Sequence, residues 1–124
     1  MKKVFTENAP AAIGPYSQAY VTNGLMFCSG QLPVDAKNGE VAGETIEQQA
    51  EQSCKNVQAI VEEAGSDMNH VVKTTCYLSD ISNFGAFNEV YADYFISNPA
   101  RSCFAVKDLP KGVLCEIEAI AEVK

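Results

Sequence analysis

The segment from Thr45 to Ala64 constrains the fold of this chain more than any other, because it has the pattern of one long amphipathic helix. Its apolar residues recur every three or four positions and therefore lie on one helix face, opposite a charged face. That apolar stripe consists of Ile46, Ala50, Cys54, Val57 and Val61. Thr45 and Gln48 match a capping box that begins a helix, and Gly65 is suited to end one. Such a helix has to pack its apolar stripe against another layer of secondary structure.

A second helix is predicted from Ser82 to Ser97, where the apolar stripe is aromatic and Pro99 follows the end. Runs rich in β-branched and aromatic residues predict strands, at residues 20–21, 25–29, 71–78, 102–107 and 114–123. Turn signals join the first two strands at Asn23-Gly24 and the last two at residues 109–112. The order β-β-α-β-α-β-β predicts an α+β fold: one mixed β-sheet with two helices packed on one face, in a single domain over residues 1–124.

The last predicted strand indicates what the second face of the sheet looks like. Alternate residues of a strand point to the same side, and those from Cys115 to Val123 are all apolar. The other side is mixed and consists of Leu114, Glu116, Glu118, Ile120 and Glu122. The chain has no third layer to cover this face. A half-apolar sheet face on a small domain predicts an interface between copies of the chain.

Charge and cysteine pattern argue against several classes of function. The chain has 9 Lys and Arg against 16 Asp and Glu, a net charge of −7, which disfavours binding to nucleic acid and to anionic membranes. Its five cysteines have no CxxC spacing and it has one histidine, His70. This pattern indicates reduced thiols and provides no set of metal ligands. The longest apolar run, residues 25–28, is too short to span a bilayer. We therefore expect a cytoplasmic protein.

Three candidate functional residues come from the last two predicted strands. Arg101 lies in a neutral, apolar stretch, where its guanidinium could hold a carboxylate by two hydrogen bonds; the alternative is an ordinary solvent-exposed arginine. Glu116 would lie near Arg101 if the two strands pair through the turn at residues 109–112; otherwise it is a solvated glutamate. Cys103 shares a face with Arg101 and is either a nucleophile or a packed thiol.

Four more candidates come from elsewhere in the chain. Tyr16 follows a Gly-Pro turn and could close a pocket, or could simply pack. Ser29 and Gly30 end a strand where a ligand could approach the backbone closely, or where the strand merely ends. Asn88 lies among the aromatic residues of the second helix, where its buried amide needs a partner. It could orient a ligand or a neighbouring loop, or it could make an ordinary structural hydrogen bond.

Six segments, taken together, carry a family resemblance. They are residues 7–10, 13–19, 28–31, 72–78, 99–102 (Pro-Ala-Arg-Ser) and 116–121 (beginning Glu-Ile-Glu-Ala). In order and spacing they closely resemble the RidA (YjgF) family of reactive-intermediate deaminases, over essentially the whole chain. The resemblance implies a chorismate-mutase-like α+β fold and a homotrimer with active sites in clefts between subunits.

The same resemblance implies an activity and a set of roles. The activity is the hydrolysis of 2-iminobutanoate and 2-iminopropanoate to 2-keto acids and ammonia, without metal or cofactor. Arg101 would hold the carboxylate of this small-molecule substrate, and Glu116 would position or activate the attacking water. Tyr16, Ser29, Gly30 and Asn88 would line the pocket, and Cys103 would contribute its backbone amide and a lining thiol. The chemistry is plausible for one Arg and one Glu, because a protonated imine is already a strong electrophile.

Two other functions remain open at this stage. Some relatives are labelled nucleases or translation inhibitors, although the net charge and the lack of a histidine pair argue against that activity here. The chain could also be a non-catalytic protein that binds small carboxylates, or a holdase for unfolded chains.

Overall fold

The computed structural model describes residues 1–124, which form one six-stranded sheet and two α-helices. The strands are β1 (Lys2–Val4), β2 (Ala19–Thr22), β3 (Leu25–Gln31), β4 (Val71–Leu78), β5 (Ala100–Ala105) and β6 (Cys115–Glu122). The helices are α1 (Ile46–Glu63) and α2 (Phe84–Tyr94). The strand order across the sheet is β1-β2-β3-β6-β4-β5. Only β4 and β5 run parallel, so the sheet is mixed, as predicted.

Helix α1 begins and ends where its capping residues predict. The Thr45 side chain accepts a hydrogen bond from the Gln48 backbone, and the Gln48 side chain accepts one from the Thr45 backbone. Gly65 follows the helix with φ +87°, a conformation that a residue with a side chain rarely adopts. The helix buries the apolar stripe that the sequence predicts. Neither helix is long and apolar enough to cross a membrane.

Helix α2 is shorter than the predicted segment from Ser82 to Ser97. A 3₁₀ turn, Ile81–Asn83, precedes it, and the helix ends at Tyr94. Phe95 continues the apolar stripe in sequence but leaves helical geometry, with φ −93° and ψ 68°. Its ring stays buried because it stacks on Tyr91, with ring centroids 4.4 Å apart. Apolar periodicity therefore overestimated the helix by including a core residue that lies beyond it.

The strand prediction was wrong in three places. The predicted strand order lacks β1. This strand has three residues, of which only Val4 is buried, so it is too short to show a periodic pattern. Strand β5 begins two residues earlier than the predicted strand at residues 102–107 and also ends two residues earlier, at Ala105. The last two strands do not pair with each other, because β4 lies between β5 and β6. The turn around residues 110–112 therefore belongs to a connection that crosses over β4, not to a hairpin.

The two faces of the sheet differ as the last strand predicts. On the helix-covered face, Cys28, Ala119, Thr74 and Arg101 follow one another across four strands in register. The first three are buried beneath the helices. The open face carries Phe27, Lys73, Thr75, Tyr77, Phe104, Glu116, Glu118 and Ile120. Phe27 and Phe104 are 43% and 45% exposed, so this face is partly apolar and uncovered within the chain.

Candidate functional site

The two principal candidates, Arg101 and Glu116, do not meet within one chain. Arg101 lies level with Thr74 and faces the helices, whereas Glu116 lies level with Tyr77 on the open face. One strand, β4, separates them. Two strand spacings and three residues of rise place their backbones about 10 Å apart across the sheet and about 10 Å apart along it. The prediction that strand pairing would bring Glu116 near Arg101 is therefore wrong, since a sheet places the intervening strand between them.

Arg101 is a half-buried cation without an acidic partner. Its Nη1 donates a hydrogen bond of 2.8 Å to Oδ1 of Asn88. Its guanidinium carbon lies 4.8 Å from the ring centroid of Tyr91 and 5.5 Å from that of Phe84. The ion pairs of the chain are Lys55 with Glu51 and His70 with Asp67, and neither involves Arg101. The positive charge of Arg101 is consequently available to an anion from outside the chain.

Cys103 lies beside this arginine but lacks the features of a nucleophile. It is half-buried on the helix-facing side of β5 and is level with Cys76 on β4. Burial raises the pKa of the Cys103 thiol, an effect that the nearby Arg101 only partly opposes. A raised thiol pKa lowers the fraction of reactive thiolate. Of the two roles left open by the sequence, the surroundings favour the packed thiol.

Glu116 is the second centre of the site, and its surroundings raise its affinity for a proton. The side chain is half-buried on β6. Its pKa is raised above the ordinary value of 4.5, first by burial and second by the negative charge of Glu118. Glu118 is held in place by Tyr77, whose hydroxyl donates a hydrogen bond of 2.5 Å to it. A carboxyl group with raised proton affinity is suited to give and take protons nearer neutral pH.

Gly30 makes room for this carboxyl group. A β-bulge interrupts the pairing of β3 with β6 between Cys28 and Gln31 and includes Gly30. A side chain on Gly30 would collide with Oε2 of Glu116, so only glycine lets the carboxylate lie against this backbone. Ser29, the neighbouring residue, donates a 2.6 Å hydrogen bond to the carbonyl of Ser17, which ties β3 to the segment that carries Tyr16.

A groove of about 300 Å³ adjoins Gly30. Tyr16 and Gly30 both line it, together with the apolar side chains of Ile13, Leu32 and Val34. Sequence reasoning missed Gln18, which also lines the groove. Its amide donates hydrogen bonds to the carbonyls of Thr6, Ala9 and Pro10 and accepts one from the Thr6 backbone. The sequence offered no signal for this residue, because its role depends on burial and on hydrogen bonds to the distant segment from Thr6 to Pro10.

The candidate residues therefore form two clusters rather than one site. One cluster lies at the β5 edge and consists of Arg101, Asn88 and Cys103. The Arg101 guanidinium there has no acidic partner within the chain. Glu116, Gly30, Ser29 and Tyr16 lie around the bulge of β3, where the Glu116 carboxyl group, whose pKa is raised, lies against Gly30, and Gly30 lines the groove. The first cluster can bind a carboxylate and the second can transfer a proton. No hydrogen bond or ion pair connects the two clusters.

The fold defines a small α+β protein with one mixed sheet and two helices, and comparison with known proteins identifies its family. The chain belongs to the endoribonuclease L-PSP family, whose model matches residues 6–123. This confirms the membership that the resemblance to the RidA (YjgF) proteins predicted.

Three relatives illustrate the family. The chain is 49% identical to the 2-iminobutanoate/2-iminopropanoate deaminase of Salmonella typhimurium, over 97% of this chain and 96% of that protein. The crystal structure of the yjgF gene product from E. coli is 45% identical, with a TM-score of 0.94 and complete coverage of both chains. E. coli TdcF, solved with bound serine, is 41% identical, with a TM-score of 0.95 and complete coverage of both chains. These structures confirm the α+β fold.

Proposed function

We propose that this chain is a deaminase that hydrolyses 2-iminobutanoate and 2-iminopropanoate to 2-keto acids and ammonia without a cofactor. The observation that carries the proposal is Arg101, a half-buried guanidinium with no acid to neutralise it. The only full negative charge of a 2-imino acid is its carboxylate, which a guanidinium matches with two parallel hydrogen bonds. The name of the Salmonella relative supports the same substrate class.

Glu116 would perform the proton transfers. As a carboxylate it takes a proton from water while the water oxygen bonds to carbon 2 of the iminium. It then gives that proton to the nitrogen of the tetrahedral intermediate. The new hydroxyl then gives its proton to the Glu116 carboxylate as the carbon–nitrogen bond breaks, and the departing ammonia takes that proton, so that the iminium acid and water become a 2-keto acid and ammonium. A raised pKa suits Glu116 to both steps, because the same group acts first as a base and then as an acid.

The proposed site requires two copies of the chain, because Arg101 and Glu116 lie on opposite faces with β4 between them. We propose a homotrimer in which Arg101 of one subunit faces Glu116 of the next across a cleft. The open face supports this assembly, since Phe27 and Phe104 would be covered by neighbouring subunits. Sedimentation equilibrium tests it: a species of about three times 13.4 kDa supports the trimer, and a monomer at micromolar concentration contradicts both the trimer and the shared site.

The activity itself is tested by a coupled assay. Threonine dehydratase generates 2-iminobutanoate, and the release of 2-oxobutanoate is followed with and without the protein. Faster release in its presence supports the proposal. Unchanged release, with a trimeric and folded protein, contradicts it.

The family description favours a second candidate, cleavage of RNA. The net charge of −7 disfavours it, because RNA binding relies on clustered cations. An RNA-cleavage assay with a nuclease-free preparation, compared with Arg101→Ala, discriminates the two. Cleavage that the variant loses would establish the second candidate, and cleavage shared equally by both proteins would indicate a contaminant.

A further inference from the structure

Three residues of α2 enclose the Arg101 guanidinium. Phe84, Asn88 and Tyr91 are spaced four and three residues apart, so their side chains lie on one helix face. Asn88 accepts a 2.8 Å hydrogen bond, and the rings of Tyr91 and Phe84 lie 4.8 and 5.5 Å from the guanidinium carbon. Both ring distances are within the range of a cation–π interaction. The guanidinium is thus contacted by two aromatic faces and one amide.

Each of these contacts is electrically neutral. A carboxylate in the same place would also hold Arg101, but it would neutralise the charge that a substrate needs. An aromatic face attracts the cation through its quadrupole and consumes none of the five N–H donors of the guanidinium. Burial raises the pKa of Tyr91 to about 12, so its phenol does not ionise at neutral pH. The arrangement orients the cation while leaving its charge free.

The Tyr91 ring is itself held rigidly. Its hydroxyl and that of Thr74 lie 2.7 Å apart in a buried hydrogen bond, and its ring stacks on Phe95. Phe84, the first residue of α2, is 37% exposed and is not part of the buried core cluster. The two rings therefore differ in how much of the fold depends on them. Phe84 can be changed without opening the core.

We propose that Phe84 and Tyr91 are positioning residues, which hold the Arg101 guanidinium by their ring faces in the orientation that receives the substrate carboxylate. This inference rests on the proposed function, in which Arg101 is the anchor. It assigns α2 a role in substrate binding beyond the hydrogen bond of Asn88. The rings touch Arg101, not the reacting atoms, so their loss should weaken binding more than it slows chemistry.

A spectroscopic test does not depend on catalysis. Arg101 is the only arginine of the chain, so its side-chain Nε–Hε group gives a single correlation in an ¹⁵N–¹H spectrum. Ring currents from the two aromatic faces shift this signal. In Phe84→Leu we expect the signal to move and broaden, and in Phe84→Tyr to stay close to its original position. An unchanged signal in Phe84→Leu would overturn the inference.

A binding test measures the consequence for a carboxylate ligand. We expect the Kd for 2-oxobutanoate, measured by calorimetry, to rise about three- to tenfold in Phe84→Leu. The KM for 2-iminobutanoate should rise similarly, with less change in kcat, and Phe84→Tyr should behave as wild type. The matched control is Phe5→Leu, the same substitution at an exposed phenylalanine just beyond β1, on the far side of the sheet. It should change neither the Kd nor the arginine signal.

Tyr91→Phe separates the ring from its hydroxyl. It keeps the aromatic face and removes the bond to Thr74, so the Kd should change less than in Phe84→Leu. A larger change than in Phe84→Leu would assign the effect to the hydroxyl and contradict the role of the ring. Failure of wild type to hydrolyse the imine would defeat the proposed function but leave the spectroscopic test intact. Wild-type turnover that is lost in Arg101→Ala but unaltered in Phe84→Leu would overturn this inference alone.

Discussion

The surroundings of Arg101 and Glu116 differ in charge, and the difference explains how each could serve in one reaction. Arg101 is contacted by neutral groups, so its charge persists and can be matched by an anion. Glu116 is partly buried and has a like charge near it, so its pKa rises and it can exchange protons. Neutral surroundings thus keep the guanidinium of Arg101 charged and unpaired. Burial beside a like charge instead makes the Glu116 carboxylate easier to protonate. The first suits an anchor and the second suits an acid–base group.

The largest expected effect follows from removing the carboxyl group of Glu116. We predict that Glu116→Gln lowers kcat about 10²–10⁴-fold, because it removes the general acid–base group while keeping its shape. Binding of 2-oxobutanoate and the trimer should persist, as measured by calorimetry and sedimentation.

The control for this prediction is Cys103→Ala, which removes a half-buried thiol that we assign to packing. It should retain most of the activity in the coupled assay. An inactive Cys103→Ala beside an active Glu116→Gln would show nucleophilic catalysis by the thiol instead.

The second-largest effect is expected from removing the guanidinium of Arg101. Removing one partner of a buried, hydrogen-bonded charge pair costs about 2–5 kcal/mol, which is about 1.5 to 3.5 decades of kcat/KM. We predict that Arg101→Ala and Arg101→Lys both lose at least about tenfold in kcat/KM for 2-iminobutanoate, since lysine offers one flexible contact instead of a planar pair. Thermal melts should show intact folding. Wild-type kcat/KM in Arg101→Lys would mean that charge alone is sufficient.

A smaller effect is expected when Glu116 is displaced rather than removed. In Gly30→Ala the new methyl group would overlap the Glu116 carboxylate, and a misplacement of about 1 Å can cost up to about 10² in rate. We predict a fall in kcat of about tenfold or more. Gly85→Ala in α2 is the matched control, because no atom lies near the added methyl group there. Equal activity in the two variants would show that the contact of Gly30 with Glu116 is not needed.

The smallest expected effect is on pH dependence. Glu116 has to lose its proton to act as a base, so activity should fall on acidification at a pH above the ordinary 4.5 of a glutamate. Glu118→Gln removes one of the two causes of the raised pKa. The acidic limb of the kcat/KM profile should therefore move to lower pH. If the acidic limb of the kcat/KM profile does not move in Glu118→Gln, a group other than Glu116 controls the fall in activity at low pH.

The sequence predicted the parts of the fold that depend on local patterns. Each of these parts depends only on residues that are close together in sequence. They are the capping residues of α1, the strand at residues 71–78, and the helical spacing of Phe84, Asn88 and Tyr91. The neighbours of a strand are not encoded locally, because alternation specifies which face is buried and not which strand lies alongside. The insertion of β4 between β5 and β6 could not be read from the pattern for that reason.

The candidate site shows the same limit. Arg101 was identifiable as a cation in an apolar strand, and Glu116 as an acid on a mixed face. Their separation on opposite faces, and the contact of Gly30 with Glu116, depend on strand order and on the bulge in β3. Both are tertiary features. The resemblance to a family supplied roles for these residues, and the structure adds that one chain does not bring them together.

Mixed trimers test most directly whether Arg101 of one subunit and Glu116 of another form each site. Arg101→Ala and Glu116→Gln subunits carrying different affinity tags are co-expressed, and trimers holding both tags are purified. In a ring of three equivalent interfaces, every mixed trimer has one interface with both residues intact, so we predict about a third of wild-type turnover per trimer. Mixed trimers no more active than the two parent variants would show that each site lies within one chain and would contradict the account.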